Sequence, residues 1–320
     1  MKSSHLLHKV SNLLFDLLGI VIASLAFYIT IPLPIHQETI KLPKGSVTHT
    51  IRSLQEQGYP LSMIDTYLLV AIGQPKSGEL QIGKGVMNRL DFLDKLTSAT
   101  EAIEIITLIP GETRPIFLKE LAKKEHLSFE KLDGNYSRLA RYPEAGILPD
   151  TYHLAKGINE AYLIKFLVKL TEKKYQEVAQ KHLGHYDPKT WQRYLTIASI
   201  IQKEAANNQE MPLVASVIYN RLKRNMPLQM DGTLNYGEYS HVKVTPKRIK
   251  EDQSGFNTYL NTGLPPYPIC SVSLDAINAA LNPAKSDYLY FMKNSRGVHD
   301  FSHSYKEHLR NVARAKASSK

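Results

Sequence analysis

Apolar and polar positions alternate with three different rhythms along this chain. Leu13 to Ile31 is apolar apart from Asp16, and no acidic or basic side chain of Asp, Glu, Lys or Arg appears from Leu17 until Glu38. That is about the length a helix needs to cross the core of a bilayer. A mixed region comes next. Thr39 to Leu42 reads as a strand, Pro43-Lys44-Gly45 as a turn, and Val47, Ile51, Leu54 and Gln57 as a helix that Gly58 stops. Leu80 to Leu96 supplies another strand and helix. The first unit then returns in outline, with a strand at Ile105 to Ile109, the turn Pro110-Gly111, and a helix through Ile116, Leu118 and Leu121. This weak internal repeat of one supersecondary unit is also what ordinary α+β packing produces.

From His126 onward the rhythm is mostly helical: Leu127 to Leu132, Glu160 to Val178, Trp191 to Ala206, Pro212 to Arg224, Leu274 to Leu281 and Tyr305 to Ala315. Tyr288 to Met292 is a compact strand signal, ended by the turn Asn294-Ser295-Arg296-Gly297. His299, Phe301 and Ser302 then fall on a return strand, giving a hairpin suited to wall one side of a groove. The expected fold class is α+β, with an apolar N-terminal segment, a small α/β module, and a larger mainly helical domain carrying a β-hairpin or small sheet.

Within the helical part, Glu204 stands where a charge is least expected, at the end of Leu195-Thr196-Ile197-Ala198-Ser199-Ile200-Ile201-Gln202-Lys203. On a helix, Ile197, Ile200 and Ile201 share its face, at seven, four and three residues before it. A carboxyl on an apolar stripe is partly desolvated, which raises its pKa and lets it hold a proton near neutral pH, as a general acid must. On this segment alone, a stripe-edge glutamate reaching water or a lysine is the more ordinary reading.

Beyond Glu204 the chain carries a polar and aromatic set on loops. After Val-Ile-Tyr-Asn-Arg-Leu (217–222) come Leu-Gln-Met-Asp (228–231), Gly-Phe-Asn-Thr-Tyr (255–259), Thr-Gly-Leu-Pro-Pro (262–266), Asn-Pro-Ala (282–284) and Tyr-Leu-Tyr-Phe (288–291). Asn, Gln, Thr and Tyr interleaved with Gly and Pro suit a groove that hydrogen-bonds sugar hydroxyls and amides and stacks on their flat faces. Singly, each element is an ordinary turn. In this order, the motifs from Leu195 to Ser302 resemble the endolytic murein transglycosylase family, also called YceG-like. Glu144-Ala145-Gly146-Ile147-Leu148-Pro149-Asp150-Thr151-Tyr152 is similar to that family's Glu-Gly-Phe-Leu-Phe-Pro-Asp-Thr-Tyr signature. Three positions depart from the family pattern: Gln202 stands where a second acid is usual, Gly232 where Asp-Pro-Thr is common, and Val298 where Gly-Gly-His is common.

The resemblance implies a catalytic domain over 99–320 and a LysM-like, glycan-binding module over 36–98, behind a cytoplasmic N-terminus at 1–12 and a transmembrane anchor at 13–35. It also implies a reaction. Glycosidases commonly divide proton donation and stabilisation of the sugar cation between two carboxyl groups. A lytic transglycosylase uses one. The glutamate protonates the departing oxygen, then takes a proton from the sugar's own C6 hydroxyl, leaving a 1,6-anhydro-MurNAc end. By resemblance Glu204 is the acid and then the base, and Asn220, Gln229, Asp231, Asn257, Tyr259 and His299 position the glycan. The product would terminate glycan elongation, and wall-synthesis enzymes would be partners. Two rivals stand beside this reading: a hydrolytic muramidase with Asp231 as second carboxylate, and a non-catalytic glycan-binding scaffold of the envelope.

Composition narrows the setting. Lys2 and Lys9 before the apolar run favour a cytoplasmic N-terminus, which puts the rest outside the cytoplasm on the inner (cytoplasmic) membrane as a single-pass protein. A cleaved signal with Ser24-Leu25-Ala26 as its site is the alternative. The single cysteine, Cys270, allows no internal disulfide and is expected to pack as a small apolar residue. The twelve histidines form no convincing ligand set, so no metal or other cofactor is expected. The net charge of +10 is dispersed without a nucleic-acid motif, and no nucleic-acid partner is expected. His299 reads either as a surface hairpin residue or as a substrate contact. Trp191, the only tryptophan, is expected in the core.

Overall fold

The computed structural model describes residues 2–318, with side chains from His8 to Ala317. Lys2, invoked above for orientation, and Lys320, the end of the expected catalytic domain, lie outside the described side chains. The chain forms two compact units. One comprises residues up to Ile105 together with His153–Ile158, and the other Ile106–Tyr152 together with the chain from Asn159 on.

The first unit begins with helix α1 (Lys2–Thr30). Its stretch His8–Thr30 contains an 18-residue window of mean hydropathy 2.2, none of which is buried against protein. The helix ends there, and Pro32–Ile35, which hydropathy placed in the expected span, is strand β1. β2 (Thr39–Leu42), α2 (Val47–Glu56), α3 (Met63–Ile72), β3 (Gly78–Gln81), β4 (Gly85–Asn88) and α4 (Arg89–Ser98) come after it. β1 pairs antiparallel with β4, Pro32 opposite Asn88, and β2 with β3, Thr39 opposite Gln81. Leu33, Ile35, Ile40 and Leu42 alternate inward along β1 and β2 and meet Ile51, Leu54, Leu69, Leu80, Phe92 and Leu96 in one core. Each of the three short helices is started by a local device: Ser46 caps α2, a Ser62–Asp65 capping box starts α3, and Asn88 caps α4. β5 (Ile103–Thr107) and β6 (Thr151–Ala155) form a two-stranded sheet, and the division between units falls within both strands.

The second unit holds α5 (Arg114–Lys124), α6 (Phe129–Leu139), α7 (Glu160–Leu183), α8 (Pro188–Glu204), α9 (Met211–Lys223), α10 (Pro246–Glu251) and α11 (Leu274–Leu281), then β7 (Tyr290–Lys293), β8 (His299–Ser302) and α12 (Tyr305–Ser318). α8 is its axis. Pro188 at the first turn and Asp187, whose carboxylate accepts the Thr190 N–H at 2.8 Å, start it. Every residue from Leu195 to Ile201 is buried. This stretch of the helix is therefore covered all round by α9, α11 and loops, and the apolar stripe expected from Ile197, Ile200 and Ile201 is one side of an enclosed segment. Ser199 is its polar lock: its hydroxyl donates to Thr196 O at 2.8 Å and accepts the Ile269 N–H at 3.0 Å. Trp191 is fully buried, 5.7 Å from the ring of Tyr175. Cys270 is also buried, where burial pushes its thiol well above the usual range.

Candidate active site

Glu204 is the last residue of α8, where the buried rod opens into a cleft of about 220 Å³. The cleft is lined by Glu204, Arg221, Leu228, Gln229, Met230, Asp231, Tyr259, Phe291, Met292, Lys293 and His299, all from the second unit. Four segments converge to make it: the end of α8, Arg221 on α9, the loop 228–231, and the β7–β8 hairpin. Tyr259 comes from a further loop.

The electrostatics of Glu204 result from that position. Burial raises its pKa to about 7, the N–H of Gly232 opposes the rise, the Asp231 charge adds to it, and Arg221 again opposes it. A carboxylate at the C-terminal end of a helix is also disfavoured by the helix dipole, which has the same sign as the burial effect. The Gly232 bond is short, 2.7 Å from N to Glu204 Oε1. Gly232 also explains how the loop comes so close. A Cβ there would stand 2.7 Å from Lys203 Cβ and 2.8 Å from Glu204 Oε1.

The 228–233 loop is pinned by hydrogen bonds to the segment around Thr258. Gln229 N–H donates to Thr258 O at 3.1 Å, Met230 N–H donates to Thr258 Oγ1 at 3.2 Å, and the Thr233 and Thr258 hydroxyls are 3.0 Å apart. Gln229 has φ of 47°, a left-handed conformation rare for a residue with a Cβ, on a residue that lines the cleft. Asp231 Oδ1 accepts the Tyr259 hydroxyl at 2.7 Å, which aims both side chains. At the other wall, Glu210 Oε1 accepts the His299 backbone N–H at 2.8 Å, and its Oε2 lies 2.7 Å from His299 Nδ1. Those bonds hold the Glu210 carboxyl below its ordinary pKa against its burial. With Nδ1 so engaged, Nε2 is the ring nitrogen left for the cleft.

Five of the seven expected site residues, Glu204, Gln229, Asp231, Tyr259 and His299, are thus brought together around one cleft. Asn220 and Asn257 lie outside its lining. The amide of Asn220 donates to Ser286 O and Tyr288 O, both at 2.9 Å, and so fixes the approach to β7. Asn257 is fully buried; its amide donates to Ile249 O at 2.8 Å and Asp252 O at 2.7 Å, and its carbonyl accepts the Tyr259 N–H at 3.1 Å. They shape the turns that carry their neighbours.

Sequence reasoning passed over Arg221, Gly232 as a donor, Glu210 and the β7 residues. Arg221 is the most consequential. Its Nε donates to Leu289 O and its Nη1 to Leu228 O, both at 2.6 Å, so one buried cation ties the hairpin to the loop and faces Glu204. The only signal for it was its place in Val-Ile-Tyr-Asn-Arg-Leu, where an arginine among apolar helical positions has no obvious solvent face.

The chain is similar to proteins already described. It is 32% identical over 234 residues, 70% of its length, to the endolytic murein transglycosylase of Streptococcus pneumoniae D39, and covers 40% of that protein. It is 44% identical over 116 residues, 36% of its length, to the endolytic murein transglycosylase of Bacillus subtilis 168, covering 32% of that protein. The chain thus spans well under half the length of both curated relatives. Among solved structures, a yceG-like protein of Listeria monocytogenes superposes with a TM-score of 0.55 at 27% identity, over 85% of this chain and 98% of that one. The model of the YceG-like family matches residues 40–314, and with the motifs and the cleft they form now in view, this chain belongs to the YceG-like family.

Proposed function

We propose that the second unit is an endolytic peptidoglycan lytic transglycosylase that cleaves the MurNAc–GlcNAc β-1,4 bond within nascent glycan strands. The observation that carries this reading is Glu204: one carboxyl, poised near pH 7 by burial, at the mouth of a polar cleft, with the Gly232 N–H and the Arg221 cation beside it. Near neutral pH it holds its proton in part of the molecules and is ionised in the rest, so one group serves as acid and then as base. In the first step the Glu204 proton passes to the glycosidic oxygen as the bond to the anomeric carbon breaks. In the second the C6 hydroxyl attacks that carbon and its proton returns to Glu204. No water is consumed, and the enzyme ends as it began. Gly232 N–H and Arg221 stabilise the carboxylate between the steps. Gln229, Asp231, Tyr259 and His299 offer hydrogen bonds to glycan hydroxyls and acetamido groups, while Asn220 and Asn257 hold the turns that carry this set.

The rest of the chain fits work at a membrane-bound wall. α1 acts as a single-pass anchor in the cytoplasmic membrane, with both units outside the cytoplasm. The small first unit acts as the LysM-like module, presenting glycan to the catalytic unit, and termination of strand elongation beside wall-synthesis enzymes is the physiological role. Digestion of purified peptidoglycan by the full chain in detergent micelles, in ¹⁸O-enriched water, tests the chemistry. Mass spectrometry should find anhydro ends without ¹⁸O. Label at new reducing ends would assign a muramidase instead, and intact glycan would favour a binding scaffold.

A further inference from the structure

Helix α3 is apolar on its exposed side as well as around its buried acid. Its inward face carries Asp65 and Leu69, both fully buried. Its outward face carries Met63, Ile64, Tyr67 and Val70, which are 73%, 46%, 68% and 60% exposed. Positions 63, 67 and 70 recur at spacings of four and three, so these side chains form one stripe along the ten-residue helix. One oxygen of the inward acid carries its polar contacts. Asp65 Oδ2 accepts the Ser62 N–H at 2.6 Å, the Arg89 Nη1 at 2.8 Å and the Tyr28 hydroxyl at 2.7 Å. Asp65 is also the only charged residue in the helix, so the outward stripe is uncharged. A contiguous apolar stripe on a helix whose charge points inward marks a contact surface rather than a solvated one.

The place where α3 starts identifies what covers the stripe. Tyr28 lies in the last turn of α1, and its hydroxyl meets Ser62 Oγ at 2.7 Å as well as Asp65. The Arg89 guanidinium sits 4.3 Å from the centre of the Tyr28 ring. The first turn of α3 is therefore fixed at the foot of the apolar stretch His8–Thr30, whose side chains up to Phe27 are exposed. A tyrosine with Ser, Asp and Arg around its hydroxyl, at the end of an apolar span, is the chemistry of the headgroup layer, where amphipathic rings collect. Exposed apolar side chains of α1 and of α3 thus stand on either side of this junction.

We infer that α3 lies in the boundary between headgroups and acyl chains of the bilayer that α1 crosses, with Met63, Ile64, Tyr67 and Val70 in lipid. This rests on the reading of α1 as a membrane span. A lone span leaves the first unit free to turn about its axis; a second apolar element seated in the interface removes that freedom and fixes which side of the unit faces the wall. Because the stripe has no charge, its seating depends on acyl chains and not on anionic lipid.

The test uses the full chain in vesicles of phosphatidylethanolamine and phosphatidylglycerol. Nitroxide labels are attached singly after Met63→Cys, Tyr67→Cys and Val70→Cys, with Val21→Cys on α1 and Glu56→Cys on α2 as references; Cys270 is buried and stays unlabelled. Power-saturation spectroscopy compares collisions with oxygen, which favours lipid, against a water-soluble nickel chelate. Labels at 21, 63, 67 and 70 should show an oxygen-to-nickel ratio several-fold above that at 56. If 63, 67 and 70 match 56 while 21 is in lipid, the seating of α3 is overturned and the anchor stands. Position 21 in water would overturn the anchor and the seating together. Line broadening at 63, 67 and 70 that vanishes on dilution with unlabelled chain would make a second copy the occupant and overturn the lipid assignment.

Discussion

At the scale of single residues, the site turns on how closely a backbone approaches a carboxylate. Gly232 reaches Glu204 because it lacks a Cβ, and its N–H is the strongest influence keeping the Glu204 pKa from rising further. Gly232→Ala should push the loop or the carboxylate aside and weaken that bond. A displacement of this order costs about 10²-fold in rate. The pH effect has a definite direction too. In the proposed reaction Glu204 starts protonated, so activity should be lost as pH rises through its pKa near 7; weakening the Gly232 bond raises that pKa and moves the loss to higher pH. Cleavage rates of both proteins across pH 5 to 9 check this, and an unchanged rate and alkaline limb would contradict it. Glu204 itself was legible in sequence, because a charge closing an apolar helix stands out. Arg221 and Glu210 were not, since a cation that joins the nearby Leu228 carbonyl to that of Leu289, and an acid that grips His299, are defined by the distant partners Leu289 and His299. Asn220 and Asn257 were legible as polar loop and helix residues, but no pattern says whether an amide turns to a backbone carbonyl or to a cleft.

At the scale of elements, periodicity located α2, α7, α8, α9, α11 and the β7–β8 hairpin, because each joins a strong apolar rhythm to a turn or cap. α3 escaped it: nearly every position is apolar, so no polar face marks the helix, although the Ser62-Met63-Ile64-Asp65 capping box was a usable signal. β1 escaped because Pro32–Ile35 follows directly on the apolar run of α1, and β6 because Tyr152 and Leu154 are its only inward positions. One start signal comes from outside its own helix. Thr113, ahead of α5, makes no side-chain cap, and Glu144 takes its place, accepting the Arg114 N–H at 2.9 and 3.0 Å on its two oxygens. Burial pushes the Glu144 carboxyl up to about 8. Its folded pKa lies above its ordinary 4.5, so the folded chain holds a proton that the unfolded chain releases, and stability falls as pH rises from about 4.5 to 8. Glu204 adds to the same fall up to about 7. Denaturant midpoints of the detergent-solubilised chain should drop between pH 5 and 8, and Glu144→Gln should flatten the part between 7 and 8. An identical pH slope in that variant would contradict the assignment.

At the scale of the whole molecule, the chain divides labour between two units. The first ties a membrane-length helix to a small sheet-and-helix core through Tyr28, Asp65 and Arg89; the second surrounds one buried helix and lets it end in a cleft. The α+β class and the order of parts were readable from the rhythm of the chain, whereas the cleft was not, because it forms where segments some 95 residues apart, from Glu204 to His299, come together. Two carboxylates, Glu204 and Asp231, line that cleft, and the central claim is that only one does the chemistry. Asp231 is occupied as the acceptor of the Tyr259 hydroxyl, while burial holds Glu204 near the pKa that proton transfer in both directions requires. The most direct measurement compares peptidoglycan cleavage by the wild-type chain, Glu204→Gln and Asp231→Asn, with the ends identified by mass spectrometry. Anhydro ends should be formed by wild type, formed more slowly by Asp231→Asn, and lost with Glu204→Gln by about 10³-fold or more. Anhydro ends that persist with Glu204→Gln and vanish with Asp231→Asn would contradict it.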